Sequence, residues 1–179
     1  MFAYKGFQRG LKCRGYQFSM GKNVTEAANC GQNGFHCAEN PLDCLSYYGN
    51  INSDYCLVIP GGDMDEDQVD SKISCTELTI VKKLTIQEFF LHGLAYMVDH
   101  ANRNWSSHVQ KDRGTASSGY CVVRGTDPVA CGAKGSILAF AKDDPGSGKI
   151  IQIALTYVDG RKIRANTWYD IDWKERKGA

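Results

Sequence analysis

One stretch of this chain repeats its apolar side chains at helical spacing over several turns, and that limits what the remainder can be. Ile86, Phe89, Phe90, Leu94, Met97, Val98, Ala101 and Trp105 recur at the three-and-four spacing that puts side chains on one helical face. Thr85-Ile-Gln-Glu88 stands before them as a capping box. Its hydroxyl and carboxylate can each satisfy a backbone amide that the first turn leaves without a partner. The spacing predicts a helix over 86–103. Gly93 inside it costs about 1 kcal/mol relative to alanine, which implies close packing at that point.

Ahead of this helix the chain reads as short strands and turns. Phe2–Phe7 has strand propensity, and Gly15–Phe18 is a second short strand closed by Gly21. Phe35-His36-Cys37 ends a third. Asn40 before Pro41 suits an N-cap followed by proline in the first helical turn, and Gly49 stops that short helix. Tyr55–Ile59, between Asp54 and Pro60, reads as a buried strand. A loop over 61–70 then holds Asp63, Asp65, Glu66, Asp67 and Asp70. Ser71–Val81 returns to strand, with an alternation that slips between Cys75 and Leu78 and predicts a bulge there.

Behind the helix, residues 111–136 carry glycines at 114, 119, 125, 132 and 135 with small residues between them. This composition excludes a strong helix. It leaves a compact β-coil, with glycine at the corners and Val122, Val123, Val129 and Ala130 inside, or a flexible loop. Ser136–Ala141 and Ile150–Val158 form a hairpin across the Asp144–Gly148 turn. Asp159-Gly160 signals a second hairpin, with Lys162–Tyr169 as its return strand. The expected architecture is α+β: a small, mostly antiparallel N-terminal unit over 1–83, one long central helix in 84–108, a glycine-rich β C-terminal unit with hairpins over 109–173, and a solvated tail over 174–179.

Composition removes several function classes. With 21 basic and 20 acidic side chains the net charge is +1, so no cationic face is expected for nonspecific nucleic-acid binding. No run of about 18 apolar residues predicts a membrane span. The opening MFAYKGFQRGLKCRG has no apolar export region, so a cytoplasmic chain with reduced thiols is expected. The eight cysteines include no pair two residues apart, so the usual zinc knuckle is missing. His36 and Cys37 are adjacent and face opposite sides of a strand. Neither a cysteine-nucleophile signature nor a phosphate loop is present. The acidic loop lacks the glycine and distal glutamate of a calcium site, and reads instead as a contact for a basic partner surface. No metal, cofactor or catalytic residue is expected.

Two resemblances add to this. Gly34-Phe35-His36, Tyr47-Tyr48 and Tyr55-Cys-Leu-Val-Ile-Pro-Gly61 loosely resemble ADP-ribosyltransferases, which implies a late catalytic glutamate at Glu77; Lys5 stands where that family opens with histidine or arginine. Lys5-Gly-Phe, Cys13-Arg-Gly-Tyr-Gln-Phe-x-x-Gly-Lys22, Gly34-Phe-His-Cys-Ala-x-Asn-Pro-Leu-Asp43 and Val158-Asp-Gly-x-Lys-Ile-Arg-Ala-Asn-Thr-Trp-Tyr169 resemble an uncharacterised family of phage and prophage proteins. In that family a short α/β unit precedes a glycine/alanine-rich repeat. This resemblance supplies no catalytic residues and implies a role during infection of a bacterial cell. By size and setting the chain resembles type II-A anti-CRISPR proteins, which implies binding to Cas9 with its guide RNA. Tyr47, Tyr48, Asp63, Asp65, Glu66 and Asp67 are the expected partner contacts; a transferase or a virion protein is the alternative.

Overall fold

The computed structural model describes residues 1–66 and 70–177. The fold is α+β, and the chain divides into two compact units, Met1–Phe89 and Phe90–Ala179.

The first unit contains β1 (Ala3–Phe7), a small hairpin of β2 (Lys12–Cys13) and β3 (Tyr16–Gln17), β4 (Gly21–Val24), β5 (Phe35–Ala38), a 3₁₀ helix (Pro41–Ser46), β6 (Asp54–Glu66) and β7 (Lys72–Leu84). Its main sheet is antiparallel. β1 lies between β5 and β6, β6 also pairs with β7, and the other edge of β7 is shared by β5 and β4. The ladder therefore closes on itself through β1, β6, β7 and β5. Phe7, Phe35, Cys37, Val58, Leu78 and Ile80 are among the side chains that fill its core.

Several expectations need correction here. The segment expected as an acidic loop is mostly strand, because β6 continues through Pro60 to Glu66 and pairs Met64, Asp65 and Glu66 with Cys75, Ser74 and Ile73. Pro60 is tolerated because the pairing with β1 ends at Val58, so its missing amide removes no bond to that neighbour. The predicted irregularity opposite Cys75–Leu78 is present, with β6 supplying the extra residues between Gly61 and Met64. Gly62 takes φ +68° there, and a Cβ on it would meet Thr76 Oγ1 at 2.2 Å. Gly21 opens β4 rather than closing a strand. Asn40 caps its helix as expected, accepting from the Leu42 amide at 3.1 Å. That helix is 3₁₀ and ends at Ser46, before Gly49; the amides of Tyr47 and Tyr48 both bond the Cys44 carbonyl.

Helix α1 (Ile86–Asp99) opens on the predicted capping box. The Thr85 amide donates to Glu88 Oε2 at 2.8 Å and the Glu88 amide to Thr85 Oγ1 at 3.2 Å. Lys82, followed by Thr85, holds the Glu88 carboxyl down at about 2. Gly93 is buried, as its position required. The helix ends short of residue 103. The Ala101 carbonyl accepts from Arg124 Nη2 at 3.2 Å, and the Arg103 amide turns back to the His100 carbonyl at 2.9 Å. Trp105, expected on the apolar stripe, lies beyond the helix and is 37% exposed, and Val98 in the last turn is 42% exposed.

The second unit continues with β8 (Val109–Ala116), β9 (Tyr120–Gly132), β10 (Ile137–Asp143), β11 (Ile150–Tyr157), β12 (Trp168–Asp170) and β13 (Glu175–Arg176). β8 and β10 both run parallel to β9. Consecutive parallel strands ordinarily need a crossover of about a dozen residues, yet only 117–119 and 133–136 lie between these. The strands solve this by bending. The register steps from Lys111 beside Arg124 to Arg113 beside Val129, with Asp112 at φ 59° on the corner. The second half of each strand thus serves as part of the return path. Gly125 allows the corner to close, since a Cβ there would sit 2.0 Å from Asp112 Oδ1. Val122, Val123, Val129 and Ala130 are buried, so the glycine-rich segment forms a coiled, curled sheet rather than a flexible loop.

The β10–β11 hairpin forms across the Asp144 turn. The expected second hairpin does not. Asp159 Oδ1 gathers the amides of Arg161 at 2.7 Å and Ile163 at 3.0 Å, which curls the chain away. Only Trp168–Asp170 is strand, and it pairs with β9. The expected tail is partly structured: β13 pairs with β12, and Arg176 binds Asp127 and Asp170.

Candidate functional site

The site begins with strand periodicity. Side chains alternate across a strand, so Ala3, Lys5 and Phe7 share one face of β1, and Ala3 and Phe7 lie in the apolar core. Lys5 follows them inward and is only 4% exposed. Its Nζ donates to the His36 carbonyl at 2.7 Å and to Cys13 Sγ at 3.7 Å. The rings of Phe7 and Phe18 lie 5.1 and 5.4 Å from it. Among the described residues no carboxylate is within ion-pair distance of this ammonium. Lysine is almost never fully buried unless paired, which makes Lys5 the exceptional residue of this unit.

The β2–β3 hairpin brings the next groups. Arg14 and Gly15 form its two-residue tip with φ 47° and 83°, the left-handed pair of a tight hairpin turn. Cys13 just before it accepts a hydrogen bond from Tyr48 Oη at 3.0 Å. Burial first, and the bond to Cys13 second, push the Tyr48 hydroxyl well up, so it stays a donor. Gly6 fixes the tyrosine ring: a Cβ at that position would lie 2.8 Å from Tyr48 Cδ2. His36 Nε2 accepts from the Gly31 amide at 3.0 Å. Burial, then the charges of Lys5, Arg14 and Lys72, lower the His36 pKa below 6.5. Lys72 Nζ donates to Tyr47 Oη at 3.0 Å and lies 5.5 Å from its ring.

These side chains line a cleft of about 680 Å³, a volume that suits a small ligand. Two acids also line it, but both are engaged: Asp43 Oδ2 accepts from Ser71 Oγ at 2.7 Å, and Asp70 Oδ1 accepts from the Lys72 amide at 2.8 Å. A smaller hollow of about 400 Å³ beside Arg9, Asp54 and Lys83 differs in charge, because Asp54 there pairs with Lys83 at 2.8 Å.

Of the partner contacts expected from sequence, Tyr47 and Tyr48 line the cleft. Tyr47 is 55% exposed, whereas Tyr48 is half-buried. Asp63, Asp65 and Glu66 lie elsewhere, exposed on the end of β6, with Asp65 Oδ2 accepting from the Cys30 amide at 2.7 Å. Asp67 lies outside the described residues. Glu77 pairs with Lys22 at 2.8 Å and does not line the cleft. Among the described residues no three His, Cys, Asp or Glu side chains converge as a metal site. Sequence reasoning placed Lys5, Cys13 and Arg14 only in family resemblances, with Cys13 also one conceivable metal ligand, and it assigned Lys72 no role. The signal for Lys5 was a lysine at the inward position of Ala3-Tyr-Lys-Gly-Phe7.

The family described as "Domain of unknown function (DUF7666)" matches residues 1–92. The chain belongs to this family. Every residue lining the cleft falls inside the DUF7666 segment. No curated protein and no solved structure matches the chain. Among the described residues no helix is long and apolar enough to cross a membrane.

Proposed function

We propose that the DUF7666 domain of this chain is a receptor for a small anionic ligand, with Lys5 as its buried counter-charge. The observation behind this reading is the Lys5 ammonium, 4% exposed and without a carboxylate partner among the described residues. A buried charge without a partner costs stability, and an anion entering the cleft would supply the missing one. Arg14 and Lys72 add positive charge to the same lining, while Tyr16, Phe18 and Phe35 add apolar wall. Calorimetric titration of the full chain with inorganic phosphate, pyrophosphate and citrate tests it. Binding that weakens with added salt and disappears in Lys5→Met is the expected result. No heat from any of the three at millimolar concentration would remove the reading.

A second reading acts through the exterior. The exposed Tyr47 and the exposed carboxylates of Asp63, Asp65 and Glu66 suit a basic protein surface. With the resemblance to phage proteins, they support binding to a host CRISPR nuclease, Cas9 with its guide RNA, in the bacterial cytoplasm. Capture of guide-loaded Cas9 by the chain, with slower DNA cleavage, is the expected outcome. Absence of capture at micromolar concentration would end this proposal.

A further inference from the structure

Six of the eight cysteines are buried; Cys13 and Cys30 are half-buried. These two sulfurs play opposite roles. Cys30 Sγ donates to the Lys72 carbonyl at 3.9 Å. Cys13 Sγ accepts, from Tyr48 Oη at 3.0 Å and from Lys5 Nζ at 3.7 Å. Both donors are held in place, Lys5 by the His36 carbonyl and two aromatic rings, Tyr48 by its contact with Gly6. Cys13 also lines the cationic cleft, which Cys30 does not. A cysteine exchanges only with a disulfide that can reach its sulfur, and Cys13 opens on the cleft that Lys5, Arg14 and Lys72 also line.

We propose that Cys13 is a site of reversible thiol–disulfide exchange with a small anionic disulfide, an inference that rests on the anion-receptor reading. Cys13 Sγ loses its proton to solvent and attacks one sulfur of the disulfide. The new S–S bond forms as the old one breaks, and the departing thiolate takes up a proton from solvent. Cys13 is thereby oxidised to a mixed disulfide, and one thiol equivalent of the reagent is released in reduced form. A second small thiol reverses the step by attacking the mixed disulfide. The carboxylates of the disulfide meet Arg14, Lys72 and Lys5, which brings its sulfur–sulfur bond to Cys13 rather than to Cys30.

Glutathione disulfide serves as the anionic probe and hydroxyethyl disulfide as the neutral one, each incubated with the full chain and followed by intact mass and peptide mapping. The expected result is one glutathione adduct, on Cys13, that is absent in Cys13→Ser and reversed by reduced glutathione. Arg14→Ala should slow the anionic probe roughly tenfold and the neutral probe much less, because only the anionic probe carries carboxylates for Arg14 to meet. Thermal unfolding of each variant confirms that the comparison is between folded proteins. An adduct on Cys30, no adduct, or equal sensitivity of both probes to Arg14→Ala would overturn the inference. If phosphate or citrate still binds by calorimetry in that case, the receptor reading stands without it; if no anion binds, both fall.

Discussion

Among the described residues each unit of this protein buries one cation to the same extent, and the two are treated differently. Lys5 in the first unit and Arg124 in the second are both 4% exposed. Arg124 is paired with a carboxylate. Its Nε bonds both carboxylate oxygens of Asp143 at 2.9 and 3.1 Å, its Nη2 reaches the carbonyls of Ala101 and Gly148, and its guanidinium lies 4.8 Å from the Trp105 ring. Five donors in a planar fork suit that task. Lys5 has a carbonyl, a sulfur and two rings around a compact point charge, and no carboxylate among the described residues. The difference separates a charge that ties a fold together from a charge left available. Arg124 joins the end of α1 and the turn after β10 to β9; Lys5 joins nothing that needs a charge.

The largest expected effect tests the structural cation. Arg124→Met leaves Asp143, 13% exposed, without its partner, and breaking a buried pair costs about 3–5 kcal/mol. Chemical denaturation should show a loss of that order. A change below about 1 kcal/mol would mean that Arg124 is not structural, and the comparison would fail on that side. Next in size is Gly114→Ala in the same unit. A Cβ there would sit 2.3 Å from Cys121 Sγ and 2.6 Å from Val123 Cγ2, both in the core of the coil. Overpacking of this kind costs about 1–3 kcal/mol. An unchanged denaturation midpoint would show that the coil is looser than these contacts require.

Lys5→Met should behave in the opposite way. Removing an unpaired buried charge in favour of an apolar side chain of similar length is expected to leave stability within about 1 kcal/mol of the parent, or to raise it, while anion binding is lost. If it destabilises as strongly as Arg124→Met, Lys5 is a structural residue and the receptor reading loses its basis.

The features legible in the sequence were those set by local chemistry. The Thr85–Glu88 box, the Asn40-Pro41 cap, the Asp144 turn and the small-residue composition of the coil each announce themselves within a few residues. What escaped depends on distant partners. Nothing near Asp65 shows that β7 extends far enough to pair with Met64, Asp65 and Glu66, so a strand reads as an acidic loop. Nothing near Asp159-Gly160 shows that the following segment finds β9. The site follows the same rule. Tyr48 is visible as an aromatic next to a helix end, but its partner Cys13 lies in another strand, and only the closed sheet brings Lys5 to both. The one local clue, a lysine on the inward face between Ala3 and Phe7, was legible and went unused.

The smallest effect gives the most direct view of the cleft charge. His36 is lowered below 6.5 first by burial, and then by the positive charges of Lys5, Arg14 and Lys72. A histidine whose folded value lies below its unfolded one stabilises the fold fully above pH 6.5, and loses that contribution as pH falls through the folded value. Removing one of the cations must raise the His36 value towards the ordinary one, because a neighbouring positive charge is lost while the burial stays. Lys5→Met and Arg14→Ala should each do this in an NMR titration of the imidazole, and phosphate added to the parent should do the same by neutralising the cleft. Lys22→Met, which removes a cation paired with Glu77 away from the cleft, should leave His36 where it was. If Lys22→Met shifts His36 as much as Lys5→Met does, the imidazole reports overall charge and carries no information about the cleft. If phosphate shifts the parent but not Lys5→Met, the anion sits against Lys5, and the contrast with Arg124 becomes one between an occupied and an unoccupied charge.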